Sequence, residues 1–470
     1  MGNRTAALIA ILALATTTGA AAPQPPPGTA PPPPVPGTIT RVNVSSTGAQ
    51  STVTLDPATI SGDGRHVAFT SHASNLAPGD TNGVDDVFVH DRVTRQTRRI
   101  SLTTTGAQAS GPSSQPRISA DGRHVAFAST ADDLVAGDTN EASDVFVHDR
   151  VTRQTRRISL TTTGAQATGS SSLPGISADG RHVAFYSNAP DLVAGDTNGH
   201  GDVFLHDRST GSTIRLPAAP TSTHHNFHGV VAISDSGRYV SFSSYYEQTP
   251  CDLHCPRPQY RDVQVYDRTT GLTRLVDSST AYSQCNRGSP LSDDGHVAYC
   301  SDLPFTGDTP WISEDVFVQN LDTAVRDLVA VSTAGVHGNL GGSEPAMSAD
   351  ARYVAFQSHS SNLLDNRTTQ SLSVYLRDRT ARSTIRVSVP PNGEARGASF
   401  LPDISDDGRH VLFFSHDPGL VPGDTNGTSD LFVWSAAAEP GSPSQPPPSQ
   451  PAPPTPQPPP SSQPAPRPTG

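Results

Sequence analysis

The chain repeats the stretch Ile118-Ser119-Ala120-Asp121-Gly122-Arg123-His124-Val125-Ala126-Phe127, which is followed by Asp144-Val145-Phe146-Val147-His148-Asp149-Arg150. The turn residue equivalent to Gly122 marks seven copies, at Gly64, Gly122, Gly180, Gly237, Gly295, Ala351 and Gly408. Successive markers lie 56 to 58 residues apart. A fixed period of this size predicts a repeat architecture.

Each copy contains four short runs of residues typical of β-strands and shows no helical period. In the first copy the first run ends at Ser61, and the other three cover residues 67–70, 87–90 and 97–101. We name them strands A to D. The Asp-Gly turn between A and B is a strong hairpin signal. Four antiparallel strands per repeat predict a blade of a β-propeller. The alternatives are a β-solenoid, whose coils are usually about 20–30 residues, and a string of separate sheets, which could not bury both faces.

The two ends of the repeat array predict how the ring closes. The seventh copy supplies strands A to C and then ends near Ser435 without a strand D. The missing segment is at the other end of the chain, where residues 40–50 match the strand-D segments 97–108 and 155–166. We therefore expect an all-β, seven-bladed propeller whose N-terminal strand completes the last blade and covers its open edge.

These residues resemble the TolB-like propellers, whose WD40-like repeats carry the pattern Ser-x-Asp-Gly followed by two further residues, two apolar residues and Phe. Residues 119–127 and 177–185 match the pattern well, whereas Ala351 replaces the glycine and Asp235 shifts the acid by one position. The resemblance covers residues 38–435. It implies the propeller fold and does not specify a function.

The N-terminus has the pattern of a signal peptide: Arg4, an apolar run over residues 6–15, and small residues at 18–22. A ten-residue apolar run is too short to span a bilayer. We therefore predict a signal peptide (1–21), a Pro-rich linker (22–37), the propeller (38–435) and a Pro-rich disordered tail (436–470). Of 44 prolines, 24 lie in 23–36 and 440–468, which favours extended segments without a core. The expected location is extracellular or in the cell envelope, or periplasmic if the source has an outer membrane.

Charge and cysteine content narrow the class of partner. The net charge of −12 argues against nucleic acid, and we expect a monomer without a membrane span. Four cysteines in an exported chain indicate two disulfides. Three pairings are open, of which we favour Cys251–Cys255 with Cys285–Cys300, because Cys285 precedes strand A of blade five and Cys300 ends its strand B.

The loop between strands B and C carries recurring oxygen ligands. In the first blade it reads Gly79-Asp80-Thr81-Asn82-Gly83-Val84-Asp85-Asp86. Oxygen-bearing side chains at positions 1, 3 and 7 suit Ca²⁺, and they recur in four blades: Asp80, Asn82, Asp86; Asp138, Asn140, Asp144; Asp196, Asn198, Asp202; and Asp424, Asn426, Asp430. The alternative is a hydrogen-bonded turn, since Asp and Asn bond their own backbone. The sequence therefore predicts either a weak calcium site or a plain turn.

Blades four and five depart most from the repeat. Seven of ten tyrosines lie between Tyr239 and Tyr299. Exposed aromatic side chains dominate interface energetics, so we predict a partner-binding surface formed by Tyr245, Tyr246, Tyr260 and Trp311. By contrast, the histidines His66, His124, His182 and His410 are repeat-encoded on separate blades, and we interpret them as structural.

These features favour an exported, non-enzymatic propeller that binds a protein or small ligand at the face of blades four and five, with calcium as its only cofactor. The first alternative is a hydrolase or lyase with its active site at the mouth of the central channel. Against it, no Gly-x-Ser-x-Gly motif occurs; crowded carboxylates at that mouth would favour it. The second alternative is a purely structural module of the envelope.

Overall fold

The computed structural model describes residues 37–217, 226–227, 231–247, 259–280, 288–302, 314–364, 371–391, 393 and 395–437. At residues 226–227, 245–247, 259–260 and 280 it describes the backbone alone. These residues all belong to the compact unit Val35–Gly470. They contain 28 β-strands and no helix, and they form seven antiparallel sheets, as the repeat predicted.

The regular blades each take their strands from one copy of the repeat. After the first strand of the chain, β1 (Gly37–Arg41), blade one consists of β2 (Thr59–Ile60), β3 (His66–Ser71), β4 (Asp86–Asp91) and β5 (Gln96–Arg99). Blade two consists of β6 (Ser113–Ile118), β7 (His124–Ser129), β8 (Asp144–Asp149) and β9 (Gln154–Arg157). Blade three consists of β10 (Ser171–Ile176), β11 (His182–Ser187), β12 (Asp202–Asp207) and β13 (Ser212–Arg215).

The remaining blades include the two irregular ones. Blade four contains β14 (Asn226–Phe227), β15 (Ala232–Ile233), β16 (Tyr239–Glu247), β17 (Gln259–Asp267) and β18 (Leu272–Thr280), and blade five contains β19 (His296–Ser301), β20 (Asp315–Asn320) and β21 (Arg326–Leu328). Blade six contains β22 (Ser343–Met347), β23 (Tyr353–Ser358), β24 (Ser373–Asp378) and β25 (Ser383–Arg386). Blade seven contains β26 (Ser399–Ile404), β27 (His410–Ser415) and β28 (Asp430–Ala436).

The N-terminal strand closes the ring. β1 pairs antiparallel with β28, so that Thr38 lies opposite Ser435 and Arg41 opposite Phe432. The strand order of blade seven is therefore β1-β28-β27-β26, which confirms the predicted closure. Gly37 permits a close approach at this seam, because a Cβ there would lie 1.8 Å from Nε1 of Trp434.

The hydrophobic core lies between blades. Side chains of strands B and C alternate between the two faces of each sheet, and an aromatic pair across these strands recurs around the ring. In blade two, for example, the rings of Phe127 and Phe146 stack at 5.9 Å and are fully buried. The same cluster includes Val87 and Val89 of blade one. Each blade therefore completes the core of its neighbour, which explains why the repeat must close.

The turn glycine and the strand-B histidine form a second contact between neighbouring blades. A Cβ at Gly122 would lie 2.2 Å from Nδ1 of His66 in the preceding blade, and Gly122 has a φ of +67°. The histidine thus packs on the next blade's A–B turn. Where Ala351 replaces this glycine, the preceding His296 bonds to Asp294 at 2.9 Å instead. This packing supports a structural role for the recurring histidines.

Candidate functional site

The acidic B–C loops lie on one face of the ring, which we call the loop face. The opposite side carries the A–B and C–D turns, and we call it the turn face. In each of four blades the loop carboxylates meet a guanidinium from strand D. The shorter distances are Arg99 to Asp86 at 3.3 Å, Arg157 to Asp138 at 3.2 Å, Arg215 to Asp196 at 2.9 Å and Arg41 to Asp430 at 3.1 Å.

The neutral partners of the loop complete this arrangement. Asp86 is fully buried and accepts a hydrogen bond from Oγ of Ser101 at 2.5 Å. Asn82 donates through Nδ2 to Asp86 at 3.3 Å, and its Oδ1 accepts from the backbone of Val84. The asparagine thus forms an Asx turn. The structure places the predicted calcium ligands close together, but the cation between them is the guanidinium of the strand-D arginine.

Burial still dominates the electrostatics of these carboxyl groups. Desolvation raises the pKa of Asp144 to about 6 despite its bonds to Ser159 and Arg157. Burial likewise raises the pKa of Asp86 and of Asp202. Within the described ranges, no group of three or more His, Cys, Asp or Glu side chains is arranged to hold a metal ion. Calcium binding therefore stays a prediction. A calcium ion would have to compete with the strand-D arginine for the loop carboxylates.

The sequence analysis did not predict that the strand-D arginine pairs with the acidic loop, although the sequence contains a signal for this pairing. Arg41, Arg99, Arg157 and Arg215 recur with the same period as the acidic loops. They occupy the last position of β1, β5, β9 and β13, respectively. A basic residue that repeats in step with a buried acidic residue indicates an ion pair within the blade.

Blade four is unusual in its strand lengths and in its interior. β16, β17 and β18 have nine residues each, whereas most strands B and C have six. Near their loop-face ends, Arg261 and Asp277 are buried, 1% and 6% exposed, on the side that packs against blade five. Burial raises the pKa of Asp277 to about 6, although Ser301 donates a hydrogen bond to it. Buried charges of this kind are expensive in free energy.

The residues predicted to bind a partner surround this polar interior. Tyr246 lies opposite Tyr260 in the register of β16 and β17, next to Tyr245. The side chains of these tyrosines, and the whole of Trp311, lie outside the described residues. Cys300 is fully buried and forms a disulfide. The other cysteines, Cys251, Cys255 and Cys285, also lie outside the described residues, so the predicted pairing is untested.

The central channel has a ring of turn residues at its turn-face mouth. In the six blades whose described residues include a strand A, this strand contacts strand A of a neighbouring blade, as β2 does with β6 and with β26, so these strands line the axis. The second residue of each A–B turn extends this lining. The backbone N–H of Asp406 donates to the carbonyl of Gly62 at 3.0 Å, and that of Ala178 donates to the carbonyl of Asp235 at 2.9 Å. Around the ring the seven positions are Gly62, Ala120, Ala178, Asp235, Asp293, Ala349 and Asp406.

Two of the three aspartates in this ring are linked electrostatically. Asp235 belongs to blade four and Asp406 to blade seven, which are not neighbours, yet the charge of Asp235 helps to raise the pKa of Asp406. Burial is the larger cause, and Asp407, Asp403 and Asp63 add to it, so that the pKa of Asp406 is about 7. Burial and Asp293 raise the pKa of Asp235 as well.

No base compensates these two carboxylates. Among the described residues, neither Asp235 nor Asp406 takes part in a side-chain hydrogen bond or ion pair. Other carboxylates of the turn face are satisfied; Asp91, for example, accepts two bonds from Arg65. The channel mouth is therefore acidic, and of its three ring aspartates only Asp293 accepts side-chain hydrogen bonds within the described residues, all of them from Ser236. The sequence indicates this cluster only through the second residue of the A–B turn, which is glycine or alanine in four blades and aspartate in three.

The similar solved structures are also propellers. TolB from Acinetobacter baumannii matches with a TM-score of 0.36 and 15% identity over 69% of this chain, which spans 64% of that protein. Oligogalacturonate lyase from Vibrio parahaemolyticus matches with a TM-score of 0.46 and 14% identity, covering 85% and 98% of the two chains. Acylaminoacyl peptidase from Pyrococcus horikoshii matches with a TM-score of 0.43 and 12% identity, covering 70% and 46%. No protein-family profile and no curated sequence matches the chain.

These likenesses correct one prediction. The expectation that the chain is not an enzyme is contradicted, because similar propellers include a lyase and peptidases. The missing Gly-x-Ser-x-Gly motif excludes one type of hydrolase only. Likenesses at this identity assign no reaction to this chain.

Within the described part of the chain, no helix is long and apolar enough to cross a bilayer. In fold, the chain is a seven-bladed β-propeller, as its repeat predicted.

Proposed function

We propose that this propeller binds a small cationic ligand at the turn-face mouth of its central channel, with Asp235, Asp293 and Asp406 as the recognising groups. The observation that carries the proposal is the pair of uncompensated carboxylates, Asp235 and Asp406, which interact across the axis. Like charges at close range disfavour ionisation of both groups. A bound cation relieves that repulsion, so the site is set up to attract positive charge.

The surroundings of the mouth support a small ligand. The other four positions of the ring are glycine or alanine, and Gly62 makes space for the carboxylate of Asp406, because a Cβ at Gly62 would lie 1.9 Å from its Oδ2. Asp403, which lies on strand A inside the channel, accepts a hydrogen bond from the backbone of Ile60 at 2.8 Å. Concave sites with a few convergent polar groups are the usual place for ligands.

The test compares two variants in a calorimetric titration with spermidine as the cationic probe. The variant Asp235→Asn with Asp406→Asn removes the repelling pair, and we expect its affinity to fall at least about tenfold, or about 1.4 kcal/mol. The control is Asp132→Asn, which removes an exposed carboxylate that bonds only to Ser110. Equal binding by the wild type and both variants would place spermidine elsewhere and refute the channel site.

A second candidate function follows from the pKa of Asp406, at about 7. A carboxyl group that titrates near neutrality in a cleft suits general acid–base catalysis, as in a hydrolase or lyase at the channel mouth. Screening peptide and acidic-sugar substrates with the wild type and with Asp406→Asn tests this candidate. Catalysis through Asp406 requires that its loss abolish turnover while Asp132→Asn leaves turnover unchanged. A hit that persists in Asp406→Asn excludes this role.

Binding of a protein or small ligand at the loop face of blades four and five remains a separate proposal. The long strands of blade four and its buried pair Arg261 and Asp277 support it. Export also remains a proposal, supported by the signal-peptide pattern of residues 1–21. Mass spectrometry of the protein recovered from culture medium and from cell fractions would test it, since removal of residues 1–21 defines the new N-terminus.

A further inference from the structure

The rim of blades one and two carries a second, oppositely charged feature. The segment Asp-Arg-Val-Thr-Arg-Gln-Thr-Arg-Arg occurs at 91–99 and again, unchanged, at 149–157. It covers the C–D turn and strand D, at the outer edge of each blade. Four of its arginines are exposed, and we call them the basic strip: Arg95, Arg98, Arg153 and Arg156.

The basic strip has no counter-charge. Among the described residues, none of its four side chains makes a hydrogen bond or an ion pair. The nearest carboxylates in the segment, Asp91 and Asp149, are each held by a bidentate arginine, with shortest distances of 2.7 Å. Burial is the main cause that lowers the pKa of Arg150 and of Arg208, and the charges of Arg98 and Arg156, respectively, lower it further.

The backbone at two strip positions is strained. Arg95 and Arg153 both have a φ of +58° at the C–D turn. At the equivalent turn, blades three and four have Gly211 and Gly271, with φ of +72° and +69°. A left-handed conformation is unfavourable for a residue with a side chain, and glycine avoids this cost. The same conformation occurs at Ala324 and Arg382, so it belongs to the C–D turn in general, and glycine can replace the arginine there without strain.

We propose that the basic strip docks a linear acidic polysaccharide, through ion pairs between its arginines and successive carboxylates of the polymer. The guanidinium fork matches a carboxylate in a bidentate manner. Two identical copies of the segment on adjacent blades suit a ligand that repeats as well. The only large exposed apolar side chains of the segments are Val93 and Val151, which is too little for the apolar core of a stable protein interface.

Charge density separates this polymer from nucleic acid. Double-stranded DNA carries about one charge per 1.7 Å and would be repelled by the rest of a protein with a net charge of −12. A polysaccharide with one carboxylate per sugar is more sparsely charged. The rest of the protein therefore repels it less than it repels DNA, while the strip still attracts its carboxylates. Binding of this kind weakens as salt increases, because the strip is exposed to solvent.

The experiment measures binding of alginate oligosaccharides to the full chain at low salt. The variant Arg95→Gly with Arg153→Gly removes half of the strip and relieves the strained turns, so it retains or gains thermal stability. We expect its affinity for alginate to fall at least tenfold. The matched control is Arg382→Gly, because Arg382 occupies the same turn position in blade six, with a φ of +54° and an exposed side chain. The control should bind alginate as the wild type does.

Three results would overturn the proposal. Equal losses in the strip variant and in Arg382→Gly would show a general charge effect. Neutral dextran that binds as tightly as alginate would exclude recognition of carboxylates. A short DNA duplex that binds more tightly than alginate, and loses that binding in the strip variant, would assign the strip to nucleic acid instead. Loss of affinity confined to alginate and to the strip variant supports the proposal.

Discussion

The protein has two acidic regions, and they differ in how their carboxylates are compensated. On the loop face, Asp80 and Asp86 share the guanidinium of Arg99, and Ser101 completes the shell of Asp86. At the channel mouth, Asp235 and Asp406 meet only other acids. The loop-face motif is the more conspicuous of the two in the sequence, because it occurs in four blades.

The difference shows that a repeated acidic motif is weak evidence for a ligand site. An acidic residue that recurs with the repeat can be matched by a basic residue that recurs with the same period, and in these four blades the strand-D arginine matches it. At the channel mouth, the carboxylates arise where individual blades depart from the repeat. No periodic partner exists for them, and their charge is left for a ligand. Irregular positions on the axis are therefore better candidates than regular loops.

The largest expected effect tests the seam between blades seven and one. Deleting residues 37–46 removes β1, which covers β28 and also supplies Arg41, the cation of the acidic loop of blade seven. We expect aggregation and about tenfold or more faster proteolysis. Limited proteolysis with size-exclusion chromatography measures both. The control, Arg41→Met, keeps the strand and removes only its charge. A truncated protein that stays monomeric with an unchanged melting temperature would contradict the closure.

A smaller but still large effect should follow from removing one loop-face cation. Arg99→Met leaves two buried carboxylates without a cationic partner, and breaking such a pair costs about 3–5 kcal/mol of the free energy of unfolding. Urea denaturation measures this loss. Arg98→Met is the control, since Arg98 is exposed on the same strand and its substitution should change stability by no more than about 0.5 kcal/mol. Equal stabilities of the two variants would mean that Arg99 does not compensate the loop.

Removing a carboxylate at the channel mouth should stabilise the fold, whereas removing the loop-face arginine should destabilise it. The pKa of Asp406 is about 7 in the folded chain, against an ordinary value of 3.8. The folded chain thus binds one more proton than the unfolded chain between these values, and the stability due to this group falls as pH rises through them. Asp406→Asn should therefore be more stable than wild type at pH 8, by about 1–2 kcal/mol after allowance for solvent at the open mouth.

Thermal melts across pH check this sign. The gain of Asp406→Asn over wild type should vanish at about pH 3, below both pKa values, where the wild-type carboxyl group is largely protonated in both states. Asp132→Asn, as the control, should show no such pH-dependent gain. A variant that is less stable than wild type at pH 8 would indicate that Asp406 has a stabilising partner.

The smallest effect is expected for calcium. If the loop face binds Ca²⁺, millimolar Ca²⁺ should raise the melting temperature more than Mg²⁺ does, because flexible loops rich in oxygen suit the larger ion. At a concentration equal to the dissociation constant the gain is about 0.4 kcal/mol. Replacing Asp86, Asp144, Asp202 and Asp430 with Asn should abolish the difference. Melting curves that a chelator leaves unchanged would assign these loops to hydrogen-bonded turns held by arginine.

The sequence by itself determined the blade, the number of blades and the closure by the N-terminal strand. These features rest on local physics: the alternation of apolar residues, the Asp-Gly turn and the fixed period act over a few residues each. The missing strand D after Ser435 and its duplicate at residues 40–50 then left one way to complete the ring. The structure added the pairing of Arg99 with Asp86, which the shared period could have indicated.

Only the tertiary structure decided which acids form a site. In the sequence, Asp235 and Asp406 are single residues in the variable position of a turn, in blades far apart along the chain. Closing the ring brings these turns around one axis, where burial raises the pKa of both groups and a neighbouring acid adds to each shift, Asp293 for Asp235 and Asp235 for Asp406. Such a cluster depends on distances across the ring, and no local pattern encodes those distances. The same closure keeps the arginines of the basic strip on the outer rim, where no carboxylate of the described residues pairs with them.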